Sequence, residues 1–236
     1  MNIGIIGARG LIGRRVLAEA VRRGHDVTAL TRDPHTTPSD MGVNAASFQW
    51  RSANVLDTDS LIEALKGIDV VVSAFGPGRA SEGFEAAIAE AIREASSYVA
   101  AAKSLIHTLE SYPALRLLVV GGMGSLELSP GKQVVDSPDF SAMLSSIGIP
   151  ADFKLAVLAH REALNLYRTS NRNWTYFSPP GSIAAGERTG RFRIGGDQLL
   201  VDAQGHSKIS FEDYAVAMLD EIEQPRHIQR RFTAAY

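Results

Sequence analysis

The stretch that most narrows what this chain can become is NIGIIGARGLIGRRV, from Asn2 to Val16. Asn2–Ile6 is apolar and short enough for a strand. From Leu11 onward apolar residues recur at helical spacing, with Val16, Leu17, Ala20 and Val21 on one stripe, and Gly24 stands where a helix ends. Between strand and helix lie Gly7, Gly10 and Gly13. Each has a physical task at such a junction: Gly7 permits the tight turn, Gly10 lets the backbone approach a ligand, and Gly13 lets helix and sheet pack closely. The first two glycines are one residue further apart than in the common fingerprint, but the tasks are the same. Amides around Leu11 and Ile12 then present the helix N-terminus to an anion, and the expected ligand is the pyrophosphate of a dinucleotide.

The alternation continues along the chain. DVTALTR reads as a second strand and SFQWRSANV as a weaker third. A helix opens at Asp57 or Asp59, with Leu61, Ile62 and Leu65 on one face, and ends near Gly67. DVVVSAF has the continuous apolar character of a strand buried on both faces. Glu85–Ser111 reads as one long alanine-rich helix without glycine or proline, RLLVVGG as a fifth strand, Phe153–Arg168 as a helix, and WTYFSPP as a sixth strand. Strand–helix units of roughly 30 residues imply right-handed crossovers. The expected fold class is α/β, a doubly wound parallel sheet of Rossmann type with its ligand at the carboxyl ends of the strands. From Gly181 the pattern changes. GRFRIGGDQLLVD predicts a hairpin around Gly195–Gly196–Asp197, SFEDYAVAMLDEIE a helix with Ser210 as N-cap and Asp213 completing a capping-box-like start, and RRFTAAY a closing strand. This tail is too short to fold alone. Residues 1–236 are therefore expected to form a single dinucleotide-binding domain, with 181–236 as a small C-terminal cap of short strands and a helix on the substrate side.

The end of the second strand selects the cofactor. An acidic residue there binds the ribose 2′-hydroxyl of NAD, whereas arginine accommodates the 2′-phosphate of NADP. This chain has Arg32, and Arg9 in the glycine loop can reach the same place, so NADP (NADPH) is preferred; Asp33 next door leaves NAD open. Asp57, ending the third strand, is a candidate for the adenine amine and equally for the N-cap of the next helix. Ala74, Phe75 and Gly76 would set backbone against ribose and pyrophosphate. Composition excludes much else. A net charge of −2 gives no reason to expect nucleic acid or an anionic membrane as partner. The absence of cysteine removes disulfides, thiolate metal ligands and a cysteine nucleophile. The six histidines are scattered, no two at metal-ligand spacing, so no metal site is expected. No apolar run reaches the ~18–20 residues that span a bilayer, and no signal peptide opens the chain, so a cytoplasmic protein is expected.

GIIGARGLIG, TRDP, GIDVVVSAFGPG, VVGGMGSLELSPG, WTYFSPPGSIAAGERTGRFRIGGDQLL and ISFEDYAVAMLDEIE together make the chain resemble the atypical short-chain dehydrogenase/reductases, specifically their NAD(P)H-binding, NmrA-like group. That group includes NADH-flavin reductases and is similar to biliverdin reductase B. The resemblance implies that Ser178, Pro179 and Pro180 lie beside the nicotinamide. It also implies that Gly122 to Ser125, Met123 among them, line the pocket floor, with Ser125 near the serine of members bearing a full catalytic triad.

The Tyr-x-x-x-Lys pair of the wider family, in which lysine tunes the tyrosine as general acid or base, is absent. Tyr98 has Lys103 five places on, off its face of the helix, and both precede the fifth strand. After that strand, Phe153 occupies a stand-in position with Val157 four later. Reduction of a simple ketone needs a proton donor at once, whereas flavins and quinones accept hydride to give delocalised anions that solvent can protonate. The expected activity is thus NAD(P)H-dependent reduction of a flat acceptor, with flavin a possible substrate. The alternatives are an NADP-binding sensor without turnover, or a tailoring reductase of a polycyclic aromatic or quinone compound. Ser125 is the candidate for a catalytic hydrogen bond, and Phe75, Phe140, Phe153 and Tyr176 are candidates to stack on the acceptor. Leu126–Phe140 reads as a long polar lid, and His160 and Arg161 as part of an exposed helix face. The expected assembly is a monomer or a homodimer.

Overall fold

In the computed structural model, which describes residues 1–35, 41–78 and 83–236, the first strand to be made lies inside the sheet. Strand β1 (Asn2–Ile6) pairs in parallel with β2 (Asp26–Thr31) on one side and β4 (Val70–Ser73) on the other. Beyond them lie β3 (Gln49–Ser52), β5 (Arg116–Val120), β8 (Trp174–Ser178) and β12 (Arg230–Ala235), giving the order β10-β12-β8-β5-β4-β1-β2-β3. Only the edge strand β10 (Arg193–Gly195) runs antiparallel. The expected doubly wound sheet is present.

Side chains alternate across it as the strand period requires. On one face Ile3, Ile5, Val70, Val72, Leu118 and Phe177 pack beneath α1 (Leu11–Arg22) and α7 (Phe211–Glu223). On the other, Val71, Leu117, Val119 and Tyr176 pack beneath α2 (Thr58–Ala64), α4 (Ser96–Ser111) and α6 (Lys154–Thr169). Both faces are covered, which explains the unbroken apolar runs of β4 and β5.

Four expectations need correction. The long helix is two, α3 (Phe84–Arg93) and α4, interrupted at Glu94–Ala95. No breaker residue marks the place. The interruption separates α3, which packs on the 3₁₀ turn Ala151–Phe153, from α4, which packs on α2 and α6. Second, Gly195–Gly196–Asp197 does not turn a hairpin, because β10 pairs with β12 and the following Gln198 bridges Glu127. Third, Leu126–Phe140 is not a polar lid. It holds the ribbon β6 (Glu127–Ser129) and β7 (Lys132–Gln133) and leads into α5 (Phe140–Ser146), while Leu126, Val134, Val135 and Phe140 form a small third core with Leu144 and Val157. Fourth, two elements expected in the cap are built into the body: α7 packs on α1, and β12 extends the main sheet.

What remains outside the body is a strap, tied down by α7. The short strand β9 (Ser182–Ala184) pairs with β11 (Lys208–Ser210), and the residues between run back over the N-terminus of α7. Gly186 N donates to Glu212, Ser210 Oγ to the Glu187 carbonyl, and Arg188 to Glu19. The Thr189 and Gly190 amides both donate to Asp213 Oδ1, at 2.8 and 2.7 Å. Ser210 does cap the helix, accepting from Asp213 N, but the Asp213 carboxylate serves the strap rather than the reciprocal half of a capping box.

Candidate functional site

The turn between β1 and α1 is built from close approaches that only glycine allows. Gly7 has φ +75°, and a Cβ there would lie 2.3 Å from the Ala74 carbonyl oxygen. A Cβ on Gly13 would lie 2.1 Å from the Gly7 oxygen. Gly10 differs: a Cβ would meet only the Gly7 oxygen at 3.2 Å and otherwise project into open space above the helix start. No side chain caps α1 and its first turn holds no acidic residue. The first hydrogen bond of the helix runs from Arg14 N to the Gly10 oxygen, so the amides of Leu11, Ile12 and Gly13 precede it and lack intrahelical acceptors. An uncapped helix N-terminus with an empty cradle at Gly10 fits a pyrophosphate.

The neighbouring strand ends converge on the same edge. Arg9 sits over the Trp50 ring at 5.0 Å and donates to the Asp33 carbonyl at 2.5 Å, which places its guanidinium at the ends of β2 and β3. Arg32 is exposed there. Asp33 Oδ1 accepts from His35 N, a local turn contact. Asp57 takes its rival role: Oδ1 accepts from the Asp59 and Ser60 amides and caps α2. Ala74 N donates to the Ile6 oxygen, which holds the Ala74–Gly76 turn against Gly7. Ser178 is fully buried at the end of β8 and its hydroxyl has no partner among the described residues, the same being true of Thr233 opposite it on β12. Pro179 is half-buried and Pro180 buried.

The far end of the site is less as expected. Ser125 is 3% exposed, and both its hydroxyl and its carbonyl accept from Arg231 Nη1, at 3.1 and 2.5 Å. Arg231 in turn pairs with Asp197 at 2.5 Å. Ser125 is thus the anchor that joins the turn after β5 to β12, and its hydroxyl is already used. Phe140 is 1% exposed inside the third core, so neither of its ring faces is offered to an acceptor. Phe153 and Met123 are half-buried and pack against that same core. Gly122 lies against His160, where a Cβ would sit 3.2 Å from the imidazole.

His160 is the residue that sequence reasoning misplaced. It does not belong to an exposed helix face: its ring lies 3.9 Å from that of Tyr98, and burial lowers its pKa from 6.5 to about 4. The Tyr176 hydroxyl donates to the His160 carbonyl at 3.1 Å and lies 3.3 Å from Nδ1. Having spent its proton, that hydroxyl accepts from Nδ1–H, which leaves Nε2 unprotonated. Tyr98 stands 6.0 Å from Phe75, edge to face, and burial raises its hydroxyl to about 12. Lys103 lines a separate hollow with His107 and Arg172. A cavity of about 20 Å³ lies among Ser73, Phe75, Tyr98, His160 and Tyr176. The signal that could have found this cluster is the convergence of α4 and α6 below the turns after β4 and β5, which no spacing within one helix reveals.

A doubly wound sheet with a glycine cradle at its central crossover defines an NAD(P)-binding protein. The NAD(P)H-binding family model matches residues 7–225, and the chain belongs to that family. It is 36% identical over 240 residues to the uncharacterised protein YwnB of Bacillus subtilis, covering 99% of this chain and 97% of the other. A solved structure from Burkholderia pseudomallei, provisionally described as exported, shares 44% identity at a TM-score of 0.80 with both chains fully covered. A provisional NADH-flavin reductase from Streptococcus pneumoniae shares 29% identity at a TM-score of 0.77, covering 100% of this chain and 99% of the other. Among the described residues no helix is long and apolar enough to cross a membrane, and no group of three metal-ligating side chains gathers.

Proposed function

We propose that this protein is an NADPH-dependent reductase that delivers hydride to a flat, delocalised acceptor of flavin or quinone type. The single observation that carries the reading is the cradle at Gly7, Gly10 and Gly13, where a side chain at Gly10 would fill the space that a pyrophosphate needs. The likeness to a provisional NADH-flavin reductase supports the acceptor class. Arg9 and Arg32 hold the 2′-phosphate, and the placement of the Arg9 guanidinium between Trp50 and the end of β2 favours NADPH over NADH. The Ala74–Gly76 turn and the Ser178–Pro180 segment flank the ribose and nicotinamide, with the buried Ser178 hydroxyl a candidate for the carboxamide. The bound cofactor supplies hydride from nicotinamide C4. The chain supplies proximity, orientation and a partly dry pocket. The substrate is a small molecule and the setting is the cytoplasm, where NADPH is at hand.

A second reading, a cofactor-binding sensor without turnover, is favoured by the state of Ser125, whose hydroxyl is committed to Arg231. One assay separates the two. Purified protein mixed with NADPH and either FMN or a 1,4-naphthoquinone is expected to consume NADPH well above the buffer control. Measurable NADPH binding with no consumption sinks the reductase reading and leaves the sensor. Cofactor preference is read from the affinities for NADPH and NADH. Arg32→Ala is expected to weaken NADPH about tenfold while leaving NADH within twofold; equal affinities in the unsubstituted protein overturn the preference.

A further inference from the structure

The Tyr-x-x-x-Lys pair is missing from α6, yet a phenol still reaches this end of the sheet, from α4. The Tyr98 hydroxyl is 3.8 Å from the point where a side chain on Gly76 would begin, so it stands at the turn after β4. Its ring is held on one side by the imidazole of His160 at 3.9 Å and on another by the edge of Phe75 at 6.0 Å. His160 is in turn held by Tyr176 through two contacts, at 3.1 and 3.3 Å, and backed by Gly122 on the turn after β5. Among the described residues the Tyr98 hydroxyl has no hydrogen-bond partner, while every surrounding group is fixed. The phenol is half-buried, held at its ring and unengaged at its oxygen, so its O–H is available to a molecule that enters beside the Gly76 turn.

We propose that Tyr98 is the proton donor of this site, positioned by His160, and that the acceptor presents it with a carbonyl oxygen conjugated to the atom that takes hydride. This rests on the hydride-transfer reading above and narrows its substrate class to conjugated carbonyl acceptors, quinones and flavins among them. The acceptor takes hydride from NADPH at one atom, and the displaced π-electron pair moves onto its carbonyl oxygen. That oxygen forms a bond to the Tyr98 proton as the phenolic O–H bond breaks, and the phenolate recovers a proton from water. The sum is NADPH, acceptor and one proton going to NADP⁺ and the dihydro acceptor. No lysine is required, because the phenol acts as a neutral donor. Burial keeps it protonated throughout the working pH range. The other titratable groups round the cavity are His160, Tyr167 and Tyr176, and burial holds each of them in its neutral form.

Tyr98→Phe tests this while keeping the ring stack intact. With NADPH and a 1,4-naphthoquinone, the variant is expected to bind NADPH as the unsubstituted protein does and to lose 10- to 100-fold in kcat. The pH profile carries the sharper readout. The unsubstituted protein should give a flat kcat between pH 6 and 9, whereas the variant should gain rate as pH falls, since its product anion must take a proton from solvent. His160→Asn, which frees the ring but spares the hydroxyl, should raise KM and lower kcat less, with the flat profile retained. Turnover in Tyr98→Phe within twofold of the unsubstituted protein, with the same profile, overturns the proposal and leaves hydride transfer standing. Absence of turnover in the unsubstituted protein removes both.

Discussion

Gly13 carries more of the fold than its size suggests. Its missing side chain lets α1 descend onto the β1 turn, where a Cβ would sit 2.1 Å from backbone oxygen, an atom that cannot swing aside. Gly13→Ala must push the helix N-terminus outward. The expected result is a loss of about 2 kcal/mol in urea denaturation and at least a tenfold weaker NADPH complex by titration. An alanine variant that keeps both would mean that the helix start is not what holds the pyrophosphate. The three glycines were legible in the sequence because their spacing and context state their geometry. Tyr98 and His160 were not. Within its own helix Tyr98 has only Lys103 as a possible partner, and His160 reads with Arg161 as an exposed face, whereas the contact that matters joins the two helices. Ser125 misleads in the other direction: its position after β5 is plain in the sequence, but the arginine that engages it lies 106 residues away.

At the scale of elements, strands and helices with regular apolar periods were readable almost to the residue, and α1, β2, α2, β8 and α7 all begin or end within about two residues of expectation. What escaped were elements whose pairing is decided elsewhere. The β6–β7 ribbon has no alternation of its own, and GGDQLL reads as a hairpin turn until Glu127 bridges it. The segment GERTG reads as a loop, yet almost every group in it is spoken for by α7 or α1. Asp213 is the key to that strap. Asp213→Ala would leave the Thr189 and Gly190 amides and the Thr189 hydroxyl without their acceptor. A destabilisation of roughly 2–4 kcal/mol is expected. Limited proteolysis should show new cleavage within residues 185–192 ahead of any other site. Cleavage that begins elsewhere, with the strap intact, would show that β9 and Arg188 suffice to hold it.

For the molecule as a whole, His160, Glu19 and Glu221 favour neutral pH over acid. His160 is neutral when folded, with a pKa of about 4 against 6.5 unfolded, so the unfolded chain binds the extra proton between those values and stability falls as pH drops through them. Burial by itself would raise Glu19, but Arg188, Arg22 and Arg23 hold it well below the usual carboxylate range. Burial would likewise raise Glu221, which His227 and the Arg226 amide draw down instead. These carboxylates add stability that is present above their unfolded pKa and lost as pH falls below about 4.5. The urea midpoint is therefore expected to decline in two stages: a first loss on the order of 2 kcal/mol between pH 6.5 and 4, then a steeper one. His160→Gln should erase the first stage and leave the second, so an unchanged first stage in that variant would show that His160 is not the group responsible. Composition hinted at none of this, because net charge counts groups without saying which are buried together.

The third core, Leu126 to Val157, shares no residue with the two that sandwich the sheet, and under the function proposed above its half-buried neighbours Met123 and Phe153 stand on the acceptor side. The pyrophosphate cradle, by contrast, is main chain and is braced by the central strands. In lineages descended from such a protein, the two halves of the reaction are thus under different constraint. What is reduced can drift with the small core, one side chain at a time and with little risk to folding. The source of electrons stays tied to the part of the molecule that cannot change without unfolding it. A divergent family that keeps one coenzyme and samples many acceptors is the history such a division favours.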